Sequence, residues 1–578
     1  MKYIFLLRFT TIIIASGLLF VIFFHPINAL NQDLGRHLLL GKIISSNGSV
    51  PKINLFSYTY PNYPFINTHW LSEVFYYFIT LFLGLNGLLL FSTITACIAF
   101  GIIFYFSIKK YNPFICLLTA FLYLQILLER TDIRPEIFSF LFVSIFMIIL
   151  FKNREKMTNW IYLLPVIEFL WTNMHIYYPV GIALVCLFLA DEIVTKKIIM
   201  SKKIKRLLIV GSCCIIVTLC NPNGISGALF PLNVFNNYGY SLEENQNIFF
   251  LDSLFHLQTV LFFKLSVAFL ISLLLITWKK TRAIDWFLLI LFSIGAAMAI
   301  RNFPLFVFTT FISFCRALDI LYGNVSNKYR NNIYFLTFIV LLISILTYST
   351  MHTSLAKNGL GFGSIKGAAE GVSFYQENKI QGPLLNNFDI GSYLEYRLYP
   401  KQRVFIDGRP EAFPASFFEN IYIPMLQNPL LFASQNNKYN FNSIFFSHTD
   451  QTPWAQQFLK NISVNNDWKI VYLDSFSIIL VKNNQENHNL ITGHTISQSS
   501  FRFQSDLSIQ DLAQYINVFQ LLDWKHTEIE ALKRLLNIDS NNCQALSIYI
   551  NLLQQENDSL SSYYVGELQA KCPVALQQ

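Results

Sequence analysis

Long apolar runs constrain this chain more than any other feature. Eleven of them fall near 9–27, 86–107, 113–129, 135–151, 158–171, 176–194, 206–220, 258–278, 284–300, 302–320 and 332–350. At roughly 15 to 22 residues each can cross the hydrocarbon core of a bilayer as a helix, the shorter ones with some thinning or snorkelling. Composition agrees: 53% of the 578 residues are hydrophobic and 13% charged, where a soluble chain carries about a quarter charged residues. The 56 Phe and 29 Tyr suit lipid-facing and interfacial surface. The expected fold class is therefore an α-helical polytopic membrane protein. A further apolar stretch, 71–84, is short and reads as a helix lying at the membrane surface. Lys2 and Arg8 before an apolar run could mark a signal peptide, but Phe23-Phe24-His25-Pro26 is a poor small-residue cleavage site. The first run reads as an uncleaved span.

The basic residues fix an orientation. With the N-terminus cytoplasmic, the loops after even-numbered spans hold Lys109 and Lys110; Lys152, Arg154 and Lys156; Lys196 through Arg206; Lys279, Lys280 and Arg282; and Lys328 with Arg330. The opposite loops carry scattered Lys and Arg, which is the positive-inside pattern. The net charge of +8 is thus spent on orientation, and nucleic acid is not an expected partner. An odd number of spans places everything after residue 350 outside.

That remainder divides again. Residues 351–486 read as an outer α/β domain, with apolar strands GPLLNNF, RVFIDG, NSIFFS, WKIVYL and FSIILV between more helical stretches. A polar linker and a helical, tetratricopeptide-like tail occupy 487–578. Seven of the nine cysteines lie in or beside apolar segments, where Cys acts as a small hydrophobe. Cys543 and Cys572, in the tail, either form a disulfide or pack as free thiols.

The polar stretches that interrupt the spans collect on the outer side: the long first loop (28–70), ERTDIRPE (129–136), WTNMH (171–175), NPNG (221–224) with the loop to Asp252, and RNFP (301–304). Ionisable groups at membrane depth are costly and mark sites or pathways, so their gathering on one face predicts a cavity opening outward. Asp33 follows the first span closely. Partial desolvation there would push its pKa upward and suit it to general-base work, with Arg36 and His37 near enough to counter it; the bland alternative is that Asp33 caps a helix starting at Leu34. His69 and Glu73 share a helix face, as a metal-ligand pair or as part of an interfacial helix anchored by Trp70. Arg130, Arg134 and Arg301 are candidates to grip phosphate oxygens bidentately, or else snorkel at helix ends. No P-loop, G-x-S-x-G, H-E-x-x-H or Cys/His metal spacing occurs.

The first span, the outer loop with an Asp near its start, the surface helix and the further spans resemble the GT-C superfamily of glycosyltransferases. The strings DLGRHLLLGKIISSNGSVPKINLFSYT, THWLSEV, RPEIFSFLF, LWTNMH, RNFPLF and VFIDGRPEAF look like an uncharacterised bacterial branch of that group. The resemblance spans roughly 10–480. It implies a polyprenyl-phosphate-linked sugar donor, an acceptor that is a glycan, lipid or protein, and the bacterial inner membrane with the C-terminal domain periplasmic. Asp33 matches the catalytic Asp of the family's first outer loop. Many members carry two adjacent acids there, whereas Leu34 follows Asp33 here; Glu73 is the candidate second carboxylate, and a divalent cation is left open. Substrate contacts are expected from Arg36, His37, His69, Arg130, Arg134, His175, Arg301, Asp407 and Arg409, the last two on the outer domain or simply a turn-stabilising pair. Two other classes stay open: a polysaccharide ligase or polymerase, and a non-enzymatic scaffold whose helical tail binds partners.

Overall fold

The computed structural model describes residues 2–28, 32–196, 201–235, 237–324, 359–365, 367–556 and 560–572. Ten of the eleven apolar runs fall on helices. The eleventh, 332–350, lies outside the described residues, as do Lys328 and Arg330. Among the described residues, six helices are long and apolar enough to cross a membrane: Leu6–Phe23, Trp70–Lys110, Pro113–Arg130, Glu136–Glu155, Gln258–Ile276 and Ile300–Gly323. This is a multi-pass membrane protein.

The bundle has two chemically distinct ends. At one, the basic clusters meet acids from neighbouring helices: Arg154 pairs with Asp191 (2.5 Å), Lys203 with Glu192 (3.5 Å), Lys110 with Glu155, and Arg316 with Asp285. At the other end lie the polar stretches and the C-terminal half of the chain. Among the described residues, the paired basic clusters and the polar motifs thus lie at different ends of the bundle.

Three helices organise the polar end. Helix α1 (Lys2–Phe23) enters it, α2 (Leu34–Asn47) lies across it, and α3 (Trp70–Lys110) leaves it. Within Trp70–Lys110 the stretch 71–83 is a short helix of its own, separated from the longer span after it by a break at Gly84, whose φ of 69° and ψ of −177° are open to glycine. Phe75, Phe78, Leu81, Phe82 and Leu83 before that break are all exposed. Helices α2 and α3 approach so closely that a Cβ at Gly41 would collide with the Glu73 carbonyl.

Residues 367–486 carry a four-stranded sheet, β1 (Leu384–Asn386), β2 (Ser443–Ser447), β3 (Trp468–Leu473) and β4 (Ser477–Lys482), in the order β1-β2-β4-β3. The β1–β2 pair is parallel and the other pairs antiparallel. Every residue of β1 and β2 is buried, which explains why these strands read as unbroken apolar runs. RVFIDG is the expected strand that is absent. Its backbone is taken by the first loop: Val404 N donates to Phe56 O (3.0 Å) and Tyr58 N donates to Val404 O (3.1 Å), while the Asn386 side chain accepts from Phe405 N (2.9 Å). This stretch therefore stitches the first loop to the outer part of the chain.

Two further contacts fix that outer part. The segment 361–365 pairs with the end of α1 through Ile27 N to Gly363 O (2.9 Å) and Ile365 N to Ile27 O (3.0 Å). The helix Phe388–Leu398 packs on α2, with Tyr396 against Gly35. The tail forms helices Ile509–Leu522, Lys525–Ile538, Cys543–Gln555 and Leu560–Lys571, two helix pairs, with Cys543 and Cys572 joined as a disulfide.

Candidate active site

A cavity of about 580 Å³ lies between the polar end of the bundle and the outer part of the chain. Its membrane-side wall is Gln32, Asp33, Glu129, Arg130, Arg134, Glu243 and Glu244. Asp389, Ser392, Gly408 and Thr449 face them, and Gln510 and Gln514 of the first tail helix close one edge. All three regions of the chain meet here.

Asp33 is the N-terminal flanking residue of α2, yet its side chain makes no capping hydrogen bond. The carboxylate is instead free to turn into the cavity, where it accepts from Arg36 Nη2 at 3.2 Å with 31% of the side chain still exposed. The helix-cap alternative is thereby excluded in this structure. The direction of its pKa differs from the sequence expectation. Desolvation pushes it up, but Arg36, Arg134 and His37 together outweigh that and hold the carboxyl below the ordinary aspartate value of 3.8. Arg36, which the sequence places beside it, and Arg134, which only the fold brings there, account for most of the reversal.

The arginines converge as expected, on an acid that the sequence reading passed over. Glu244 accepts from Arg130 Nη1 (2.6 Å) and from Arg134 Nη1, and lies 3.4 Å from Arg301 Nη1. These three guanidinium groups hold the Glu244 carboxyl well below its usual range against the upward pull of burial. Arg130 is doubly bonded to Glu136 through Nε (2.9 Å) and Nη2 (2.8 Å). Arg134 also donates to Gln32 Oε1 (2.9 Å), next to Asp33, and Arg301 donates to Tyr177 Oη (3.1 Å) and Asn245 Oδ1 (2.9 Å). The local signal for Glu244 was the string SLEEN inside a long loop between spans; nothing in its spacing singled out which of the two acids would meet the arginines.

Of the expected residues, Asp33, Arg130 and Arg134 line the cavity; Arg36 and Arg301 touch lining residues from behind, and the others stand away from it. Glu73 is fully buried and accepts from His37 Nδ1 (2.9 Å) and Asn67 Nδ2 (2.6 Å). The His37 and His69 rings lie 5.7 Å apart, and His69 and His175 5.1 Å apart. His175 Nδ1 meets Ser139 Oγ at 2.8 Å, and Ser139 also accepts from Trp171 Nε1 (2.7 Å). Trp70 Nε1 donates to Asn173 Oδ1 (2.9 Å). The histidines thus form a string, buried at His37 and His175 and half-buried at His69, that ties the first loop to the WTNMH stretch. Burial, reinforced by neighbouring cationic groups, pushes the His69 and His175 imidazoles well down, so both are neutral at physiological pH. Among the described residues no group of three or more His, Cys, Asp or Glu is arranged to hold a metal ion.

Asp407 and Arg409 form the turn-stabilising pair that was the plainer of the two expectations. Arg409 Nη2 donates to Asp407 Oδ2 (2.7 Å) and to Asn54 Oδ1 (2.9 Å), and its guanidinium lies over Phe65 (4.5 Å) and Phe56 (5.0 Å). Both are almost fully buried. They lock the first loop in place and present Gly408, between them, to the cavity; a Cβ on Gly408 would lie 3.5 Å from Asp33 Oδ1.

No family model matches the chain, and no curated protein matches it by sequence. Solved structures do match. The oligosaccharyltransferase AglB from Archaeoglobus fulgidus, in complex with an inhibitory peptide and a dolichol-phosphate, superposes with a TM-score of 0.55 at 12% identity, over 83% of this chain and 74% of that one. The chain has the GT-C fold. The same archaeal enzyme in its apo form gives 0.54 at 12% identity, over 78% and 71% of the two chains. ArnT from Cupriavidus metallidurans, in the apo state, gives 0.43 at 10% identity over 82% and 97%. The expectation of a GT-C fold is met, and the cavity lies where two parts of that fold join.

Proposed function

We propose that this protein is a membrane glycosyltransferase that moves a sugar from a polyprenyl-phosphate-linked donor to an acceptor hydroxyl or amide on the outer face of the membrane. The observation that carries this reading is one cavity in a GT-C fold with an ionised, uncapped Asp33 on its wall and the arginines of three polar stretches beside it. AglB, one of the solved structures of similar fold, is in complex with an inhibitory peptide and a dolichol-phosphate. The division into a membrane part (1–350), a periplasmic α/β domain (351–486) and a linker with a helical tail (487–578) belongs to the same proposal.

The chemistry would be an inverting displacement at the anomeric carbon. The donor phosphate sits against Arg130, Arg134 and Arg301, which stabilise charge developing on the leaving oxygens. Asp33 receives the acceptor proton. A carboxylate of low basicity suffices where the sugar carbon carries oxocarbenium character, because the attacking group sheds its proton late. Arg36 holds Asp33 ionised and oriented. Glu73 acts at one remove, by fixing His37 and the base of α2.

Asp33→Asn is the test. It keeps size and hydrogen bonding while removing the proton acceptor, and loss of a positioned base costs about 10² to 10⁴ in rate. The assay is sugar release from a polyprenyl-phosphate donor in proteoliposomes, with thermal unfolding alongside. Full turnover in Asp33→Asn would remove this residue from the mechanism.

A further inference from the structure

The arginine cluster is already occupied. One carboxylate, Glu244, takes contacts from Arg130, Arg134 and Arg301 together, and these come from two separate stretches of the membrane part, 129–136 and 301–304. Glu136 bonds Arg130 alone among the three. Guanidinium groups meet carboxylate and phosphate oxygens through the same paired N–H donors. We propose that Glu244 is an internal stand-in for the donor's phosphate: it holds the three arginines in register until a donor arrives and must withdraw before a phosphate group binds there. This rests on the reading of these arginines as the phosphate site.

The charges and the loop both fit such a role. Counting groups in direct contact, the cluster sets three guanidinium groups against two carboxylates, Glu136 and Glu244, with Asp33, Glu129 and Glu243 elsewhere on the same wall. With Glu244 withdrawn it sets three against one, an attractive site for an anionic headgroup. Glu244 lies in a single helical turn, Glu243–Asn245, that has no buried residue, so little packing opposes its departure. Firm anchors flank the turn. Tyr240 stacks on Phe388 of the outer part (4.2 Å between ring centres), and Gln246 O accepts from Ile300 N (3.3 Å) beside Arg301. The turn can therefore move between fixed points, and both anchors neighbour cavity residues, Asp389 and Ile300.

The test uses the full chain in lipid nanodiscs and two probes, a sugar-free polyprenyl phosphate and the matching neutral polyprenol. A binding site freed of an intramolecular competitor shows a gain equal to the inverse of its former free fraction, here expected to be about tenfold or more for the phosphate probe. Glu244→Gln should show that gain with polyprenol binding unchanged. Glu244→Asp, which keeps the charge and shortens the reach, should fall between parent and Glu244→Gln. Equal or weaker phosphate binding by Glu244→Gln, with polyprenol binding retained, would overturn the proposal. If Glu244→Gln loses both probes through misfolding, Glu244→Asp decides by the same comparison. Arg134→Ala separates the two layers of inference: it should weaken phosphate binding alone. If it does so while the Glu244 variants change nothing, the phosphate site stands and the stand-in role fails. If neither the parent nor Arg134→Ala distinguishes phosphate from polyprenol, the phosphate site itself has failed and the stand-in role with it.

Discussion

Two groups of ionisable residues, drawn from the same polar stretches of sequence, are put to different uses. On the cavity wall, Asp33, Arg134 and Glu244 are charged and partly open, Arg130 is buried beside them, and Glu244 pairs with both arginines across element boundaries. Below it, Glu73, His37 and His175 are buried, His69 is half-buried, and the four are tied to Asn67, Thr68, Ser139 and one another. Asp33 and His37 are one helical turn apart on α2, and the turn of the helix sends one to the cavity and the other to Glu73. Residue type does not separate the groups. What separates them is position. The first group borders an open volume that a ligand can enter, and the second is tied up away from it and supports the site.

The largest effect expected in the second group follows from Glu73. Its two oxygens accept from two different donors. Glu73→Gln leaves one of those donors without an acceptor, and an unsatisfied buried donor costs about 1–3 kcal/mol. Thermal unfolding in detergent should show that loss, while turnover per folded molecule stays within a few-fold of the parent. A collapse of turnover with unchanged stability would put Glu73 in the chemistry and erase the distinction between the groups.

A smaller effect sharpens the cavity wall. Because the Asp33 pKa is lowered in the folded protein, its carboxylate contributes stability above the unfolded value, and that contribution is lost as pH falls through the lower, folded value. For turnover, the acid limb of kcat/KM assigned to Asp33 should lie below 3.8. Arg36→Gln removes the nearest opposing charge and should move that limb upward. An acid limb that begins well above the ordinary carboxylate range in the parent would mean that Arg36 and Arg134 do not control Asp33.

Much of this was legible in the chain. Apolar periodicity and the alternation of Lys and Arg clusters gave the helices and the two ends of the bundle, because both follow from local composition. The Asp33 position and the arginine cluster were legible as polar interruptions of spans. Three things were not. The Glu244 partnership depends on a loop more than a hundred residues from Arg130 and Arg134, with no spacing rule to connect them. The lowered pKa of Asp33 depends on Arg134, which the fold alone brings near. RVFIDG has the composition of a strand, but its backbone is claimed by Phe56, Tyr58 and Asn386, and propensity cannot report a competitor for hydrogen bonds elsewhere in the chain.

The most direct measurement of where a donor binds is photo-crosslinking with a polyprenyl phosphate that carries a diazirine beside the phosphate, followed by peptide mapping. The expected labels fall on the peptides holding Gln32 and Asp33, Arg130 to Arg134, and Glu243 to Asn245, and excess unlabelled polyprenyl phosphate abolishes them. Labels confined to the peptides of His69, Glu73 and His175, with the cavity wall untouched, would contradict the assignment of the cavity as the reaction site.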